Sequence, residues 1–178
     1  RDARNFTLGS QVPAVFGYSR VITNVTLHWW GKPEWGQTWE QVMSFFCDSP
    51  SVTTSAHEVI SDGIVGLIVD HSAAAWANGN SQGNAQSITL ECNPRMSAGD
   101  MGTVAARIAD IWREHGKILP LTEHRDWFAT ECPGTYSKAE MTRQAMLAYK
   151  GVAAEIQTAI NEGGISVADI ETINKKLD

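Results

Sequence analysis

Glu123 to Gly134, E-H-R-D-W-F-A-T-E-C-P-G, puts an imidazole at His124 and a thiol at Cys132 on one segment, with seven residues between them and a Pro-Gly turn to close it. Just ahead of it, Ile118 to Thr122 reads as a short strand leading straight into His124. A second imidazole, His28, stands far upstream in V-T-L-H-W-W-G, where Val25 and Leu27 alternate with polar neighbours as at the end of a buried strand. Two histidines and one cysteine that met in space would give a zinc ion three protein ligands and leave a fourth position open, which is the catalytic rather than the structural style of site. The spacing alone does not separate this from a plainer reading. A lone strand histidine is commonly a hydrogen-bonded core residue, and a lone cysteine a small buried hydrophobe.

Outward from that segment, strands alternate with helices. Val21 to Trp30 reads as the first strand, ended by Gly31-Lys32-Pro33, with a Trp- and Gly-rich loop at Glu34 to Gln37. Thr38 and Gln41 form a capping box for a helix whose Trp39, Val42, Met43 and Phe46 fall at helical spacing until Pro50 stops it. Val52 to Asp70 reads as a hairpin about the turn Ser61-Asp62-Gly63. Ala73 to Asn84 is small and polar and suits a loop over a cleft, and Ser87 to Cys92 is a further strand. Ser97 and Asp100 cap a helix with the stripe Val104, Ile108, Ile111 and Trp112, terminated by Gly116. Ser137 and Glu140 make another capping box, for a helix through Tyr149 closed by Gly151. The expected fold is α/β, a mixed central β-sheet flanked by helices. Arg1 to Arg20 reads as an irregular wrap. The expected division is a catalytic domain over residues 1–150. Residues 151–178, carrying the acidic amphipathic segments Val152 to Asn161 and Ser166 to Leu177, are then a helical linker or the start of a further module.

Composition narrows the partners. With 43% hydrophobic and 19% charged residues the chain supports a packed core. A net charge of -6 argues against a nucleic-acid partner, since phosphate binding needs a basic surface. No apolar run is long enough to span a bilayer, and no signal-peptide pattern stands out. Seven tryptophans are many for this length, and stacking on a saccharide or peptide would require some of them at the surface. Three cysteines cannot all pair; Cys47 and Cys92 are read as buried thiols in preference to a disulfide.

Around the candidate metal site, Glu91 closes the strand S-I-T-L-E-C, on the face opposite Ile88 and Leu90. A carboxylate there suits general acid/base work, taking a proton from water and returning it to a leaving amine, as amide hydrolysis requires. A solvated edge glutamate is the plainer alternative. Thr130, two residues before Cys132, is a candidate donor to a developing oxyanion, or simply a loop hydroxyl bonded to its own backbone. Trp30 and Trp76 are candidate substrate-stacking surfaces and Asn84 and Arg125 candidate polar contacts, with Arg125 and Asp126 also placed to hold the loop around His124. His57 reads as a core or supporting histidine, His71 and His115 as surface residues.

Four blocks taken together, L-H-W-W-G at 27–31, S-A-H-E-V-I-S-D-G at 55–63, A-W-A-N-G-N at 75–80 with N-A-Q-S-I-T-L-E at 84–91, and H-R-D-W-F-A-T-E-C-P-G at 124–134, resemble the type 2 N-acetylmuramoyl-L-alanine amidases. These are zinc enzymes of phage endolysins and bacterial autolysins that share a fold with peptidoglycan recognition proteins. The resemblance runs from about Val21 to about Lys150 and keeps the family's order. It implies one zinc ion per chain on His28, His124 and Cys132. It also implies Glu91 in the position of the glutamate used by the endolysin branch, bacterial peptidoglycan as substrate, and a site of action at the cell wall. The protein would be made in the host cytoplasm if it is an endolysin, or secreted if an autolysin. Departures stand at Ala56 (a tyrosine in some members), Thr130 (a lysine in some), Glu58 (commonly aromatic) and Ala77 (commonly histidine). Ala56 shifts the acid/base burden to Glu91. A non-catalytic peptidoglycan-binding module of the same fold commonly lacks the cysteine ligand, so Cys132 favours the enzyme; a zinc peptidase acting within the stem peptide is the remaining alternative.

Overall fold

The computed structural model describes residues 1–151, and the expectations for Val152 onward lie outside the described residues. Twelve strands and helices of regular type follow one another along it. They are β1 (Phe6–Thr7), α1 (Val12–Phe16), β2 (Asn24–Trp29), α2 (Trp39–Asp48), β3 (Glu58–Ser61) and β4 (Ile64–Leu67), then β5 (Ala74–Ala75), α3 (Ser81–Gln86), β6 (Ser87–Cys92), α4 (Ala98–Glu114), β7 (Leu121–Glu123) and α5 (Lys138–Tyr149). The main sheet has the order β4-β3-β6-β2-β7, and β1 pairs with β5 in a separate two-stranded ribbon. Pairs β3/β6, β6/β2 and β2/β7 are parallel, while β3/β4 is the antiparallel hairpin. The sheet is therefore mixed, with helices on both faces.

The pleat sorts side chains between the two faces. Val25 and Leu27 of β2 and Ile88, Leu90 and Cys92 of β6 pack with Val104, Ile108, Ile111 and Trp112 of α4 and Met141 and Ala145 of α5. Each such buried aliphatic side chain contributes about 1.5–3 kcal/mol. On the opposite face Val59 joins Val42, Met43 and Phe46 of α2 in a second cluster. Trp112, fully buried, donates its indole N–H to the Leu119 carbonyl at 2.9 Å and so pins the entry to β7. The remaining positions on the second face of β2 and β6 are polar and buried: Asn24, Thr26 and His28 beside Ser87 and Thr89. Parallel strands buried on both faces ordinarily read as continuous apolar runs. This alternation marks where chemistry sits.

Several boundaries differ from the sequence expectation. Pairing in β2 starts at Asn24, not Val21. Strand β7 starts at Leu121 rather than Ile118, because Pro120 has no amide hydrogen to donate and Ile118 is exposed. The region read as an irregular wrap contains β1 and α1, and the loop read at Ala73 to Asn84 contains β5 and most of α3, which Asn80 caps by accepting the Gly83 amide. Pro33–Trp35 in the Trp/Gly-rich stretch forms a 3-10 turn. The capping boxes at Thr38/Gln41 and Ser97/Asp100 are complete. At Ser137 only half forms, because the Glu140 carboxylate turns to Arg143 and Gln144. His71 and His115 are half-buried rather than on the surface, and His71 Nε2 lies 2.9 Å from Glu58 Oε1. Glu58 is fully buried and bridges to Arg107 of α4 through Nε and Nη2. All three cysteines are free thiols, with Cys47 and Cys92 buried. Among the described residues no helix is long and apolar enough to cross a membrane.

Candidate metal centre

Strand β2 delivers His28 to the polar face of the sheet, with 2% of its surface exposed, and the parallel register sets it directly beside Glu91 of β6. Strand β7 ends at Glu123, and His124 opens the 3-10 turn that follows. Asp126 ties that turn by accepting the Glu123 amide and the Lys138 ammonium. The return segment carrying Cys132 is held by Arg125, which donates to the Glu131 and Gly134 carbonyls and pairs with Glu123. It lies against the ring of Trp29 at Gly134, where φ is +65° and any Cβ would collide with the indole, so only glycine fits.

These three elements bring the sequence candidates together. One nitrogen of His28, one of His124 and Cys132 Sγ lie within 4.8 Å of one another. Sγ is 3.7 Å from His28 Nδ1, and the two imidazole centroids are 4.4 Å apart. Burial, with His124 adding to it, pushes the His28 pKa down to about 3, and burial also lowers that of His124. Both rings are therefore neutral and offer lone pairs. Burial, reinforced by the nearby Glu91 carboxyl, pushes the Cys132 thiol up to about 12, so it keeps its proton until a cation displaces it. Two neutral imidazoles and one thiol, converging with no fourth protein donor among the described residues, make a nitrogen-and-sulfur set that suits zinc with an open coordination position.

Beside this set, burial raises the Glu91 pKa to about 8, and its Oε2 is buried without a hydrogen-bond partner. A carboxyl poised near neutrality in a cleft has the character of a general acid/base. Thr130 uses its Oγ1 to accept the Cys132 amide at 3.2 Å, the local backbone role that loop hydroxyls commonly take, which leaves its proton for another acceptor.

Two cavities flank the centre and share Thr54. One of about 470 Å³ is lined by Phe16, Trp76, Asn84, His124 and Phe128; the other, of about 260 Å³, by Trp30, Trp35, Phe45, Phe46 and Glu91. Trp76 is 39% exposed and lines the larger cavity. Trp30, at 9% exposed, packs into the α2 cluster at the edge of the smaller cavity, and its indole N–H is buried without a partner. Asn84 is also buried, and its Oδ1 accepts the Ala77 and Asn78 amides, so it holds the loop. Arg125 is likewise spent on the loop. Ala56 is fully buried, and Ala77 lines the larger cavity. His57 sits in the core, bonded to Thr89, Arg20 and the Ala73 carbonyl. The sequence reading missed Trp35 and Phe45, exposed by 62% and 48%, and Asn78, whose Oδ1 lies 2.9 Å from His28 Nε2. Aromatic residues in an otherwise polar loop were the available signal for Trp35; nothing local singles out Asn78.

Residues 18–135, more than half of the chain, match the family model described as N-acetylmuramoyl-L-alanine amidase. No curated protein sequence matches significantly. Among solved structures, the catalytic domain of XlyA is similar at a TM-score of 0.55 with 20% identity, over 72% of this chain and 88% of that one. The PlyG catalytic domain is similar at 0.53 with 19% identity, over 94% and 97%. The N-acetylmuramoyl-L-alanine amidase LysC from Clostridium intestinale is similar at 0.53 with 13% identity, over 81% and 91%. At these identities the structural likeness establishes the fold.

Proposed function

The chain belongs to the N-acetylmuramoyl-L-alanine amidase family, and from that premise we propose that it is a zinc hydrolase cleaving the amide between N-acetylmuramic acid and L-alanine of bacterial peptidoglycan. Its role is then wall degradation, in phage lysis or in remodelling. The observation that carries the reading is the convergence of His28, His124 and Cys132 next to a carboxyl with a raised pKa. His28, His124 and Cys132 would hold one zinc ion per chain. Zinc in such an open three-ligand site supplies Lewis acidity, which polarises the carbonyl under attack and brings the pKa of water toward about 7.

The protein's own groups do the rest. Glu91, at Oε2, accepts the proton of the attacking water and passes it to the departing alanine nitrogen, a poor leaving group unless protonated. In this reading the Thr130 hydroxyl, whose oxygen accepts the Cys132 amide, donates a hydrogen bond to the oxygen on which negative charge develops. Trp76 and Phe128 on one side and Trp35 and Phe45 on the other give the sugar and peptide arms aromatic surface beside the reacting bond. Residues 1–150 form the catalytic unit in this reading.

The test pairs metal analysis with product mass spectrometry. The purified protein should carry one zinc per chain and release intact stem peptides with a free L-alanine amine from isolated walls. Cys132→Ser should lose both zinc and release. Fragments cut within the stem would instead assign a peptidase, and full zinc occupancy in Cys132→Ser would remove Cys132 from the ligand set.

A further inference from the structure

We propose that Asn78 is the positioning residue that fixes which ring nitrogen His28 turns toward the metal, an inference that rests on the zinc reading above. Asn78 is fully buried, in the loop between β5 and α3. Its Oδ1 lies 2.9 Å from His28 Nε2.

The chemistry follows from where the protons must be. His28 faces Cys132 with Nδ1, so Nδ1 must carry the lone pair that a metal takes, and the ring proton must sit on Nε2. Only an acceptor can stabilise that tautomer, and Oδ1 of Asn78 is that acceptor. With the amide turned over, Nδ2 would donate to Nε2, drive the proton to Nδ1 and close the lone pair to a cation. The chosen orientation leaves Nδ2 buried with no partner. An unpaired buried donor is destabilising, so this arrangement serves the imidazole rather than the stability of the loop.

The loop is built to hold Asn78 still. Asn84 Oδ1 accepts the Asn78 amide at 2.8 Å and the Ala77 amide at 3.2 Å. Gly83, at the start of α3, lets the Asn78 side chain and the Trp127 ring approach so closely that an added Cβ would stand 3.0 Å from Asn78 Cβ and 2.9 Å from the indole. Asn78 is thus clamped on its backbone and side-chain stem, with Oδ1 presented to His28.

The test uses the intact chain and three readouts: zinc affinity by competition with a chromophoric chelator, the absorption spectrum of the cobalt-substituted protein, and melting of the metal-free form. Asn78→Leu keeps the volume and removes the acceptor, whereas Asn78→Asp keeps the acceptor and removes the orphan donor. Asn78→Leu should bind zinc about 10–100-fold more weakly and alter the cobalt d–d and thiolate charge-transfer bands, with metal-free melting at or above wild type. Asn78→Asp should stay within a few-fold of wild type in affinity and keep the cobalt spectrum. Should Asn78→Leu fail to fold, Asn78→Ala supplies the same contrast. Wild-type affinity and spectrum in Asn78→Leu would overturn the proposal. So would equal losses in the Leu and Asp variants, which would put the effect in packing. A wild-type chain that takes up no zinc would overturn the zinc reading and this inference together, so the two failures are told apart by the wild-type measurement.

Discussion

At Glu91 burial raises the carboxyl pKa to about 8 in the metal-free protein, since it disfavours the charged form and no cation among the described residues offsets it. A cation held beside it by His28, His124 and Cys132 would lower that value and free the carboxylate to act first as base and then as acid, whereas Thr130 has no proton to exchange in the neutral range and Ala56 has none at all. Glu91→Gln preserves shape and one hydrogen bond but cannot shuttle a proton. We expect turnover on soluble wall fragments to fall by about a hundredfold or more, with zinc content and wall binding unchanged. The metal-free variant should melt no lower than wild type, since a buried ionisable group has gone. Near-normal turnover would take Glu91 out of the mechanism, and loss of zinc would make it a support of the ligand set.

Helix α4 shows which elements are legible in a sequence and which parts of them are not. Its start, stripe and end were readable from Ser97, Asp100, the apolar spacing and Gly116, because caps and periodicity are local properties. Its tie to the sheet was not, since Glu58 and Arg107 are 49 residues apart and meet only in the fold. Helix α3 was missed for the opposite reason: S-Q-G-N-A-Q has no apolar period, and its placement comes from the Asn80 cap and from Gly83 packing on Trp127. In the candidate site the same rule holds. His28, His124, Cys132 and Glu91 were picked out as candidates because strand ends and ordered blocks announce them, while Asn78 and Phe45 acquire their places through tertiary contact. The Glu58–Arg107 pair gives an energetic test. Burial alone would raise the Glu58 pKa, but His71 and Arg107 hold it below the usual carboxylate value of 4.5. A depressed carboxylate pKa adds stability that is present above pH 4.5 and is lost as pH falls below it. Arg107→Met should destabilise by about 3–5 kcal/mol at neutral pH by stranding a buried charge. It should also flatten the acid limb of the stability curve, and Glu58→Leu in the same chain should recover much of the loss. Denaturant melts at pH 7 and pH 4 check this, and a single variant within 1 kcal/mol of wild type would show that water reaches Glu58.

For the molecule as a whole the question is where the catalytic unit ends. The family match stops at residue 135, before α5, yet α5 places Met141 and Ala145 in the main core and lays Tyr149 edge-on against Trp112 at 5.9 Å. Arg113 of α4 also donates to the Ala148 and Tyr149 carbonyls at the end of α5. The helix is therefore structural for this chain even though the matched span excludes it. Gly151, at φ +74°, follows it in the left-handed conformation that ends helices, and every metal-ligand and acid/base candidate lies upstream. Two truncations separate the possibilities. A chain of residues 1–151 should fold, carry one zinc and turn over soluble wall fragments at the rate of the full chain, even if it holds intact walls less well. A chain ending at residue 136 should lose cooperative melting, because removal of Met141 and Ala145 opens a cavity against Trp112, and large deletions in a packed core cost several kcal/mol of a total of only about 5–15. Loss of zinc from the 1–151 chain would mean that residues beyond Gly151 belong to the catalytic unit. Full activity in the shorter chain would mean that α5 packs on a core already complete without it.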